Sequence, residues 1–484
     1  MSTAWLFPSV LRGMEVGILY YFVIVNGFYL ALLLSAAREL WEHAMTTRGE
    51  SRDRLLGSPA VPRIGILAPA FNESATIEES VRGLLALLYP NLEVVVVNDG
   101  SKDDTLAVLV DCFELTPVHT VYDQQIPTTP VRQLFRSALH PNLLVVDKEN
   151  GGKADALNVG LNFSTAELVC SIDADTLIEP DSLQRMLRPF LSSRMMVAAG
   201  GTIRVANGAT IRGGRIIELS APTRPLVGFQ VIEYLRAFLF GRLGWNRLGG
   251  NLIISGAFGL FRRDAVLRVG GYLHDTVGED MELVLRLRRH GYDHDTARDV
   301  SFMPDPVAWT EVPESMRVLG RQRDRWHRGL SDVLWRHRDV LLNPRYGAMG
   351  MVAFPYFVLV ELLAPVVEAV GIIGCVVALA VGAVNYQFGL LFLTLAYGFG
   401  LLLSLLTIIL EEVTFHRYSR VRDRCWLVLW AALENLGYRQ LTVMWRLRGI
   451  RKYLQGRKDW GAMERRGLNR DLPAPPADAP TPSG

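Results

Sequence analysis

The chain has 484 residues, of which 50% are hydrophobic and 21% charged, and its mean hydropathy of +0.19 is too high for an ordinary soluble enzyme. The 51 basic and 49 acidic residues give a formal charge of +2, which argues against a general polyanion binder such as a nucleic-acid-binding protein. The four cysteines show no CxxC spacing, so they support neither a zinc site nor a disulfide framework, and we interpret them as buried thiols in a reducing compartment.

The first apolar segment covers residues 16–37, after an N-terminal segment 1–15. Its length matches the ~20 residues that cross the hydrocarbon core of a bilayer, and it lacks the strongly cationic start of a signal peptide, so we predict an uncleaved transmembrane helix. Four arginines follow it and one precedes it: Arg38, Arg48, Arg52, Arg54 and Arg12. The positive-inside rule therefore places the linker 38–61 and the residues after it in the cytoplasm.

Strand-like runs alternate with helical patterns after the linker, which predicts an α/β fold with a mainly parallel sheet. The predicted strands are 63–69, 92–97, 143–146 and 168–172, and the predicted helices cover 77–88, the residues after Ser101, and 154–161. Sites in such sheets lie beyond the carboxyl ends of the strands. Asn72, Glu73, Asp99 and Asp173 follow predicted strands, so we expect them at that edge.

Two carboxylates, Asp173 and Asp175, follow directly after the predicted strand 168–172. They fit a surface turn, because acids are common beside turns. Magnesium and manganese, however, prefer one or two carboxylates together with diphosphate oxygens. We therefore predict a Mg²⁺ or Mn²⁺ site at these two residues.

Two further patterns allow a structural and a functional interpretation. Ser101 and Asp104 fit a capping box that starts a helix, which leaves Asp99 freer to bind a base or ribose. Lys153 follows two glycines at the start of another predicted helix. It is either a solvated lysine or a contact for phosphate charge at a helix N-terminus, and both interpretations stand.

Residues 276–279 also fit a capping box, which gives Glu279 a role at the helix start and makes Asp280 the better candidate for a general base. Gln322, Arg325 and Trp326 lie among other arginines. They fit an amphipathic helix on a membrane, or a site in which the tryptophan packs on a sugar ring and Arg325 binds phosphate.

Apolar segments return near the C-terminus. We predict an interfacial helix at 341–363, transmembrane helices at 364–384 and 388–410, an interfacial or transmembrane helix at 425–445, a basic cytoplasmic segment at 446–470, and a disordered Pro-rich tail at 471–484. Glu368 lies inside a predicted span, where a charge facing lipid is costly, so we expect it to face protein or a water-filled path.

The order of these motifs resembles the membrane-bound, processive family 2 glycosyltransferases, the group of cellulose, hyaluronan, chitin and poly-N-acetylglucosamine synthases, and is most similar to the bacterial poly-N-acetylglucosamine-synthase type. Seven motifs carry the resemblance: Ala70–Glu73, Asn98–Ser101, Gly152–Ala154, Asp173–Asp175, Gly256 in Ile-Ser-Gly-Ala-Phe-Gly, Glu279–Asp280, and Gln322-x-x-Arg325-Trp326. The resemblance covers residues 62–340 and implies a cytoplasmic nucleotide-sugar-binding domain of the GT-A type there, with α-helical transmembrane segments outside it.

The resemblance also implies a role for each motif residue. Asp280 matches the base that deprotonates the acceptor hydroxyl, with inversion at the anomeric carbon. The other implied roles are donor binding by Asn72, Glu73, Asp99, Lys153, Asp173 and Arg325, metal binding by Asp173 and Asp175, and acceptor binding by Gly256, Glu279, Gln322, Arg325 and Trp326. One departure is Gly278, which stands where threonine is common before the Glu-Asp pair.

The predicted function is transfer of sugar from a UDP-sugar, of the UDP-GlcNAc or UDP-Glc type, to a growing cell-surface or extracellular polysaccharide. The implied location is a multi-pass position in the inner or plasma membrane, and the implied partners are the lipid bilayer, a growing glycan or lipid-linked acceptor, and a small membrane or export subunit, with no nucleic acid. Two alternatives are transfer of one sugar to a lipid carrier, which the Gln-x-x-Arg-Trp motif argues against, and a non-enzymatic membrane transporter or scaffold with a degenerate domain, which the intact carboxylates argue against.

Overall fold

A ten-stranded mixed sheet organises the middle of the chain in the computed structural model, which describes residues 3–47, 61–173, 176–212, 215–382, 386–418 and 420–457. The strands in chain order are β1 (Ile64–Ala70), β2 (Leu92–Asp99), β3 (Leu115–Val118), β4 (Val131–Ser137), β5 (Leu143–Lys148), β6 (Leu168–Ile172), β7 (Leu177–Ile178), β8 (Met196–Val205), β9 (Ala209–Arg212), β10 (Arg215–Leu219), β11 (Phe258–Arg262) and β12 (Asp299–Thr310). Their order across the sheet is β3-β4-β5-β2-β1-β6-β11-β8-β12-β7, and β9 and β10 form a separate two-stranded sheet.

Parallel strands form the centre of the sheet, where β5, β2, β1 and β6 lie side by side. Val94 to Val97 of β2 are fully buried, as expected for a β-branched run in a strand covered on both faces. Burying each such side chain contributes about 1.5–3 kcal/mol. The predicted α/β fold with a mainly parallel sheet is confirmed, whereas the antiparallel pairing of β3, β4 and β11 was not predicted.

Helices connect the strands and continue beyond the sheet. They are α1 (Thr3–Thr47), α2 (Ile77–Leu85), α3 (Thr105–Cys112), α4 (Lys153–Phe163), α5 (Ser182–Ser192), α6 (Pro225–Leu239), α7 (Arg263–Arg268), α8 (Glu279–His294), α9 (Met316–Arg336), α10 (Phe354–Tyr356), α11 (Ala364–Ala380), α12 (Tyr386–Phe415), α13 (Val421–Leu433) and α14 (Tyr438–Leu454). The predicted helix 77–88 ends three residues early, at Leu85. Since α2, α3 and α4 each follow a parallel strand, the loops before them lie at the same edge of the sheet.

Within the part of the chain that the structure describes, three helical segments are long and apolar enough to cross a membrane: Gly13–Thr46, Met349–Ala380 and Tyr386–Phe415. The first segment packs against the other two. The Phe22 ring lies 5.4 Å from that of Phe392 in the third segment, and the Tyr21 hydroxyl donates to the Leu359 carbonyl in the second over 2.9 Å. The second segment includes π-helical turns at Met349–Ala353 and Phe357–Leu362, so the residues expected as an interfacial helix and as a span form one helical run. Where these helices lie relative to a bilayer stays a prediction.

The predicted helix 425–445 is divided in the structure. The helix is interrupted between α13 and α14. Gly437 lies in this interruption and has a φ of +93°, a conformation that glycine adopts without strain. Glu434 at this break is buried and pairs with Arg236. The break therefore places a charged pair beside the apolar helices.

The expectation that all four cysteines are buried is wrong. Cys170 is buried in β6, but Cys112 is half-buried and Cys375 and Cys425 are exposed. Cys375 belongs to one of the three apolar segments, where part of its exposed surface faces a cavity.

Candidate active site

A cavity of about 1550 Å³ lies between the sheet and the apolar helices. It brings together eight of the predicted site residues: Lys153, Asp173, Gly256, Glu279, Asp280, Gln322, Arg325 and Trp326. Its wall continues to Phe22 of α1, Cys375 of α11 and Phe392 of α12. One continuous space therefore connects the carboxyl edge of the sheet with the helices that are long enough to cross a membrane.

Lys153 is at the centre of the charged groups in this cavity. Its Nζ lies 2.5 Å from Asp173 Oδ1 and 4.0 Å from Glu279 Oε1. Burial lowers the pKa of Lys153, but the carboxylates of Asp173 and Glu279 outweigh that effect and hold the pKa above its ordinary value. The lysine is therefore a cation paired with carboxylates rather than surrounded by solvent alone, and its contact with phosphate stays a prediction.

Glu279 is the most buried carboxyl group of the cluster. Burial raises its pKa to about 7, with Asp280 adding to the rise and Lys153 and Arg325 opposing it. The group consequently exchanges its proton near neutral pH. A carboxyl group with this property is a second candidate for proton transfer, beside Asp280.

Asp280 is held by backbone N–H groups on both carboxylate oxygens. Gly256 N donates to Oδ2 over 3.2 Å, and Met281 N donates to Oδ1 over 2.8 Å. The carboxylate is half-buried and lines the cavity. A Cβ on Gly256 would lie 3.1 Å from Lys153 Nζ, so a side chain there would crowd the lysine. The structure thus holds the Asp280 carboxylate in a fixed orientation at the wall of the cavity.

The predicted capping box at residues 276–279 is wrong. Helix α8 begins at Glu279 with Gly278 as its N-cap, and the Thr276 hydroxyl instead accepts a hydrogen bond from Gly278 N over 3.2 Å. Glu279 therefore lies in the first turn rather than at the third helical position that a capping box requires.

Gly278 allows two helices to approach closely. A Cβ at this position would lie 3.2 Å from backbone atoms of Gly329 in α9, and a Cβ on Gly329 would lie 3.1 Å from Gly278 Cα. The departure from threonine at Gly278 thus has a packing reason. This contact brings the first turn of α8, with Glu279 and Asp280, against the middle of α9.

Helix α9 contributes Gln322, Arg325 and Trp326, whose spacing of three and four residues places them on one face. Gln322 Oε1 is buried without a hydrogen-bond partner among the described residues. The Trp326 side chain is 43% exposed, and the Arg323 guanidinium lies 4.5 Å from the centroid of its ring. One face of the indole is therefore covered by a cation, and a sugar would have to use the other face.

Asn72 and Glu73 are outside the wall of the cavity, in the loop after β1. Asn72 N donates to the Ser101 hydroxyl over 3.0 Å, and Asn72 Oδ1 accepts from Lys102 N over 2.8 Å. Glu73 N donates to the Thr105 hydroxyl over 2.9 Å. These bonds join the loops after β1 and β2. The capping box at Ser101 is wrong, because α3 begins only at Thr105.

Asp99 is also outside the cavity wall and is 3% exposed. Its carboxylate accepts hydrogen bonds from Gly151 N over 2.9 Å and Gly152 N over 2.8 Å, and it pairs with Lys148. The expectation that Asp99 is freer than its neighbours is wrong. It shapes the loop that leads into α4 and Lys153, while its role in donor binding stays a prediction.

Lys148 is a supporting residue that the sequence patterns did not single out. Its ammonium group is fully buried and contacts Asp99 and, over 2.7 Å, Asp155. The signal was present, since Asp147 and Lys148 directly follow the apolar run of β5, and two charged residues at the end of a buried strand are unusual. Lys148 holds together the ends of β2 and β5 and the start of α4, and so supports the position of Lys153.

The metal site can be assessed only at Asp173, because Asp175 lies outside the described residues. Asp173 lies at the carboxyl end of β6, and its side chain is 28% exposed toward the cavity. No group of three His, Cys, Asp or Glu residues among the described residues could hold a metal ion. One or two carboxylates with the remaining ligands from diphosphate and water is the arrangement that Mg²⁺ and Mn²⁺ adopt, and Asp173 fits it.

Charged pairs continue along the cavity toward the apolar helices. Glu368 Oε1 lies 2.5 Å from Arg439 Nη2 and lines the cavity. The expectation that Glu368 faces protein or a water-filled path is confirmed. Arg236 pairs with Glu434, whose carboxylate also accepts a bond from the Ser404 hydroxyl over 2.8 Å.

Comparison with known proteins supports the same domain assignment. Residues 66–270 match the family model "Glycosyl transferase family 2". The chain is 28% identical over 297 residues to a poly-beta-1,6-N-acetyl-D-glucosamine synthase of Staphylococcus aureus, covering 61% of this chain and 60% of that protein. It is 29% identical over 277 residues to the synthase of the same name from Staphylococcus epidermidis, covering 57% and 56%.

A mannosyltransferase from Pyrobaculum calidifontis, solved in complex with GDP-Man and Mn²⁺, has a similar fold, with a TM-score of 0.51 and 21% identity over 88% of this chain and 99% of that chain. The chain spans 60% of the length of the first staphylococcal relative, so the likeness concerns the sheet domain more than the whole protein. The GT-A fold and the resemblance that the motifs indicated are both confirmed: the fold by the mannosyltransferase structure, and the resemblance by the match of residues 66–270 to the family 2 model.

Proposed function

We propose that this chain is a membrane-embedded inverting glycosyltransferase that transfers sugar from a UDP-sugar to a growing polysaccharide. The observation that carries the proposal is the cavity of about 1550 Å³, whose wall includes Lys153 and Asp280 at one end and Phe392 of an apolar helix at the other. A donor site that opens toward membrane helices suits an enzyme whose product leaves through or along the membrane. The staphylococcal relatives, named as polysaccharide synthases, support this choice.

Asp280 is the proposed base. Its carboxylate takes the proton of the acceptor hydroxyl as that oxygen attacks the anomeric carbon, and the bond between this carbon and the diphosphate oxygen breaks. Lys153 and Arg325 neutralise the charge that develops on the departing diphosphate. Because attack and departure occur on opposite faces of the sugar ring, one displacement inverts the configuration, and a diphosphate leaves without a general acid.

A divalent metal, Mg²⁺ or Mn²⁺, is part of the proposal. Asp173 and Asp175 would hold it, and when bound it supplies further neutralisation of the diphosphate. The mannosyltransferase of similar fold was solved with Mn²⁺ and a nucleotide sugar, which supports a divalent ion in this fold. A small membrane or export subunit is a further proposed partner.

The charges of the cavity wall favour a neutral glycan over a lipid phosphate as the acceptor. Five of its arginines are each paired with a glutamate: Arg224 with Glu314, Arg236 with Glu434, Arg323 with Glu233, Arg439 with Glu368, and Arg446 with Glu361. Paired in this way, they offer hydrogen bonds to sugar hydroxyls without a net positive charge for an anion. Transfer of one sugar to a lipid carrier is therefore the weaker alternative.

Product length tests the function and the role of Trp326 together. Membranes that contain the wild-type chain should convert one labelled nucleotide from a panel of UDP-sugars into a polymer. The Trp326→Ala variant should give shorter products, since an aromatic surface for the acceptor sugar is lost, while hydrolysis of the donor persists. The measurement is gel or size-exclusion analysis of the labelled product.

Trp335→Ala is the matched control, because Trp335 is on the same helix, is 62% exposed and also stacks with an arginine, Arg338, at 5.0 Å. It should leave product length unchanged. A single-sugar product from the wild-type chain would contradict the polymerase proposal, and unchanged length in Trp326→Ala would reduce that residue to an anchor at the membrane interface.

We also propose that residues 38–346 and the residues after Arg446 face the cytoplasm, with the connection at residues 385–387 on the opposite side; Asn385 lies outside the described residues. In a variant whose four native cysteines are replaced by alanine, an impermeant thiol reagent applied to sealed cells should label a cysteine at position 386. Cysteines at positions 50 and 460 should react only after the cells are opened. Labelling of either position in sealed cells would refute this arrangement.

A further inference from the structure

The C-terminal end of helix α12 is joined to the sheet by a buried ion pair. Arg204 of β8 donates from Nε to Glu411 Oε1 over 3.1 Å and from Nη2 to Oε2 over 2.6 Å. The two side chains are 3% and 2% exposed. Removing two charges from water costs about as much as their attraction returns, so such a pair adds little net stability. What a bidentate pair does fix is the distance and angle between the two elements that carry it.

A second connection leaves the same end of α12. The Arg417 guanidinium lies 5.6 Å from the centroid of the Trp309 ring, and its Nη1 lies 3.9 Å from Glu179 Oε1. The Trp309 indole N–H donates to the same Glu179 oxygen over 2.8 Å. Trp309 belongs to β12 and Glu179 follows β7, so the segment after α12 contacts two further strands of the sheet.

The strand residues behind these contacts are directly paired across three neighbouring strands, β8, β12 and β7, and we call this series of paired residues the row. Arg204 of β8 is paired with Trp309 of β12, and Trp309 is paired with Leu177 of β7. Neighbouring strands are about 4.8 Å apart, which places Leu177 roughly 10 Å from Arg204. Leu177 directly follows a turn that is closed by a hydrogen bond of 3.0 Å from Thr176 N to the Asp173 carbonyl. The row therefore ends next to Asp173, the residue of the proposed metal site that the structure describes.

Strand β7 depends on this row for its position. It has two residues and is the last strand at its edge of the sheet. A short edge strand has few hydrogen bonds of its own and opens easily unless its neighbours hold it. Both contacts described above act on its neighbour β12. Arg417 contacts Trp309 of β12 directly, whereas Glu411 contacts Arg204 of β8, the strand on the other side of β12 from β7.

We propose that Glu411 is a positioning residue that, through Arg204 and β12, holds β7 and thereby fixes Asp173, which is hydrogen-bonded to Thr176 next to β7, for metal and nucleotide. The site it acts on rests on the proposed function. Arg417 also holds β7 in place, through its contacts with Trp309 and Glu179. The position of the membrane helix α12 then determines the affinity for the donor. A shift of α12 lowers that affinity from a distance.

The test compares Glu411→Gln with Glu412→Gln in the full-length protein in lipid nanodiscs. Glu412 is the next residue, and its contact with Arg424 is longer, at 3.6 Å, and more exposed. Two quantities are measured: hydrogen–deuterium exchange of the Leu177 and Ile178 amides without ligand, and the Kd for UDP in the presence of Mn²⁺ by calorimetry. We expect Glu411→Gln to accelerate that exchange and to weaken UDP binding about 10-fold, the lower end of the effect of supporting residues around metal sites. Glu412→Gln should change neither.

A second variant keeps the test valid if Glu411→Gln does not fold. Arg417→Ala removes a side chain that is 33% exposed, and we expect the same two changes in smaller size. Arg422→Ala is its control, because Arg422 is an exposed arginine of the following helix.

The outcomes separate this inference from the proposed function. The inference is overturned if Glu411→Gln and Arg417→Ala change neither the amide exchange nor the UDP affinity. It is also overturned if exchange is faster but UDP affinity is unchanged, because the Arg204–Glu411 pair is then only a structural contact. A wild-type chain that binds no UDP with Mn²⁺ contradicts the proposed function instead. Exchange of the β7 amides then still decides whether α12 holds that strand.

Discussion

Replacing Asp280 with asparagine is expected to reduce sugar transfer by roughly 10²- to 10⁴-fold, the usual loss when a general base is removed, and to leave UDP binding unchanged. Asparagine keeps the shape of the side chain, and its amide oxygen can still accept the bond from Gly256 N that spans 3.2 Å in the wild-type chain. It has no basic carboxylate to take the acceptor proton. The measurement is the initial rate of transfer from labelled UDP-sugar, with UDP affinity determined in parallel.

Glu279 is the competing candidate, and pH distinguishes the two. Since burial raises the pKa of Glu279 to about 7, its carboxylate form increases as the pH rises through that value. If Glu279 were the base, activity of the wild-type chain would increase through about pH 7, and Glu279→Gln would remove most of it. We expect Glu279→Gln to lose less activity than Asp280→Asn. Asp293→Asn, on the same helix in an ion pair with Arg345, is the control for folding.

The parts of this fold that could be predicted are those encoded by local patterns. The valine run at residues 94–97 predicts a buried strand because β-branched residues fit a pleated sheet covered on both faces. The rule that sites lie beyond the carboxyl ends of parallel strands correctly predicts that Asp173 lies at the site. The spacing of Gln322, Arg325 and Trp326 likewise predicts one face of a helix, and α9 presents them to the cavity.

What could not be predicted depends on partners distant in sequence. Asp99 was expected to be free, yet Lys148, 49 residues later, occupies its carboxylate. Arg204 and Glu411 are 207 residues apart, and no local pattern connects a strand residue with the end of an apolar helix. The predictions of two helix starts were wrong for a different reason. The residue types of a capping box favour a turn as well as a helix. The Thr276 hydroxyl, three residues before α8 begins at Glu279, accepts a hydrogen bond from Gly278 N and so closes a turn rather than starting the helix.

Removal of divalent metal is expected to abolish transfer, and Mg²⁺ or Mn²⁺ should restore it. Of the two proposed metal ligands, Asp173 lies within the described residues, where its Oδ1 is 2.5 Å from Lys153 Nζ in the cavity. Lys153 is already paired with the Asp173 carboxylate, so Lys153 and Arg325 together do not balance a diphosphate that carries at least two negative charges as it departs, and a divalent cation supplies the remaining neutralisation. Asp173→Asn should therefore lose both activity and metal-dependent UDP binding. Zn²⁺ should substitute poorly, because the ligands are hard oxygens without nitrogen or sulfur.

Asp181→Asn is the matched control for this metal site, since Asp181 lies eight residues further along the chain, pairs with Arg185 at 2.7 Å and precedes α5, where asparagine serves equally well as an N-cap. It should retain metal-dependent UDP binding. Full transfer activity in excess chelator, or in Asp173→Asn, would be incompatible with the site. UDP binding that persists without metal, together with lost activity, would assign Asp173 to the reaction itself rather than to the ion. Calorimetric titration of UDP with and without Mn²⁺ distinguishes these cases, because it measures binding independently of turnover.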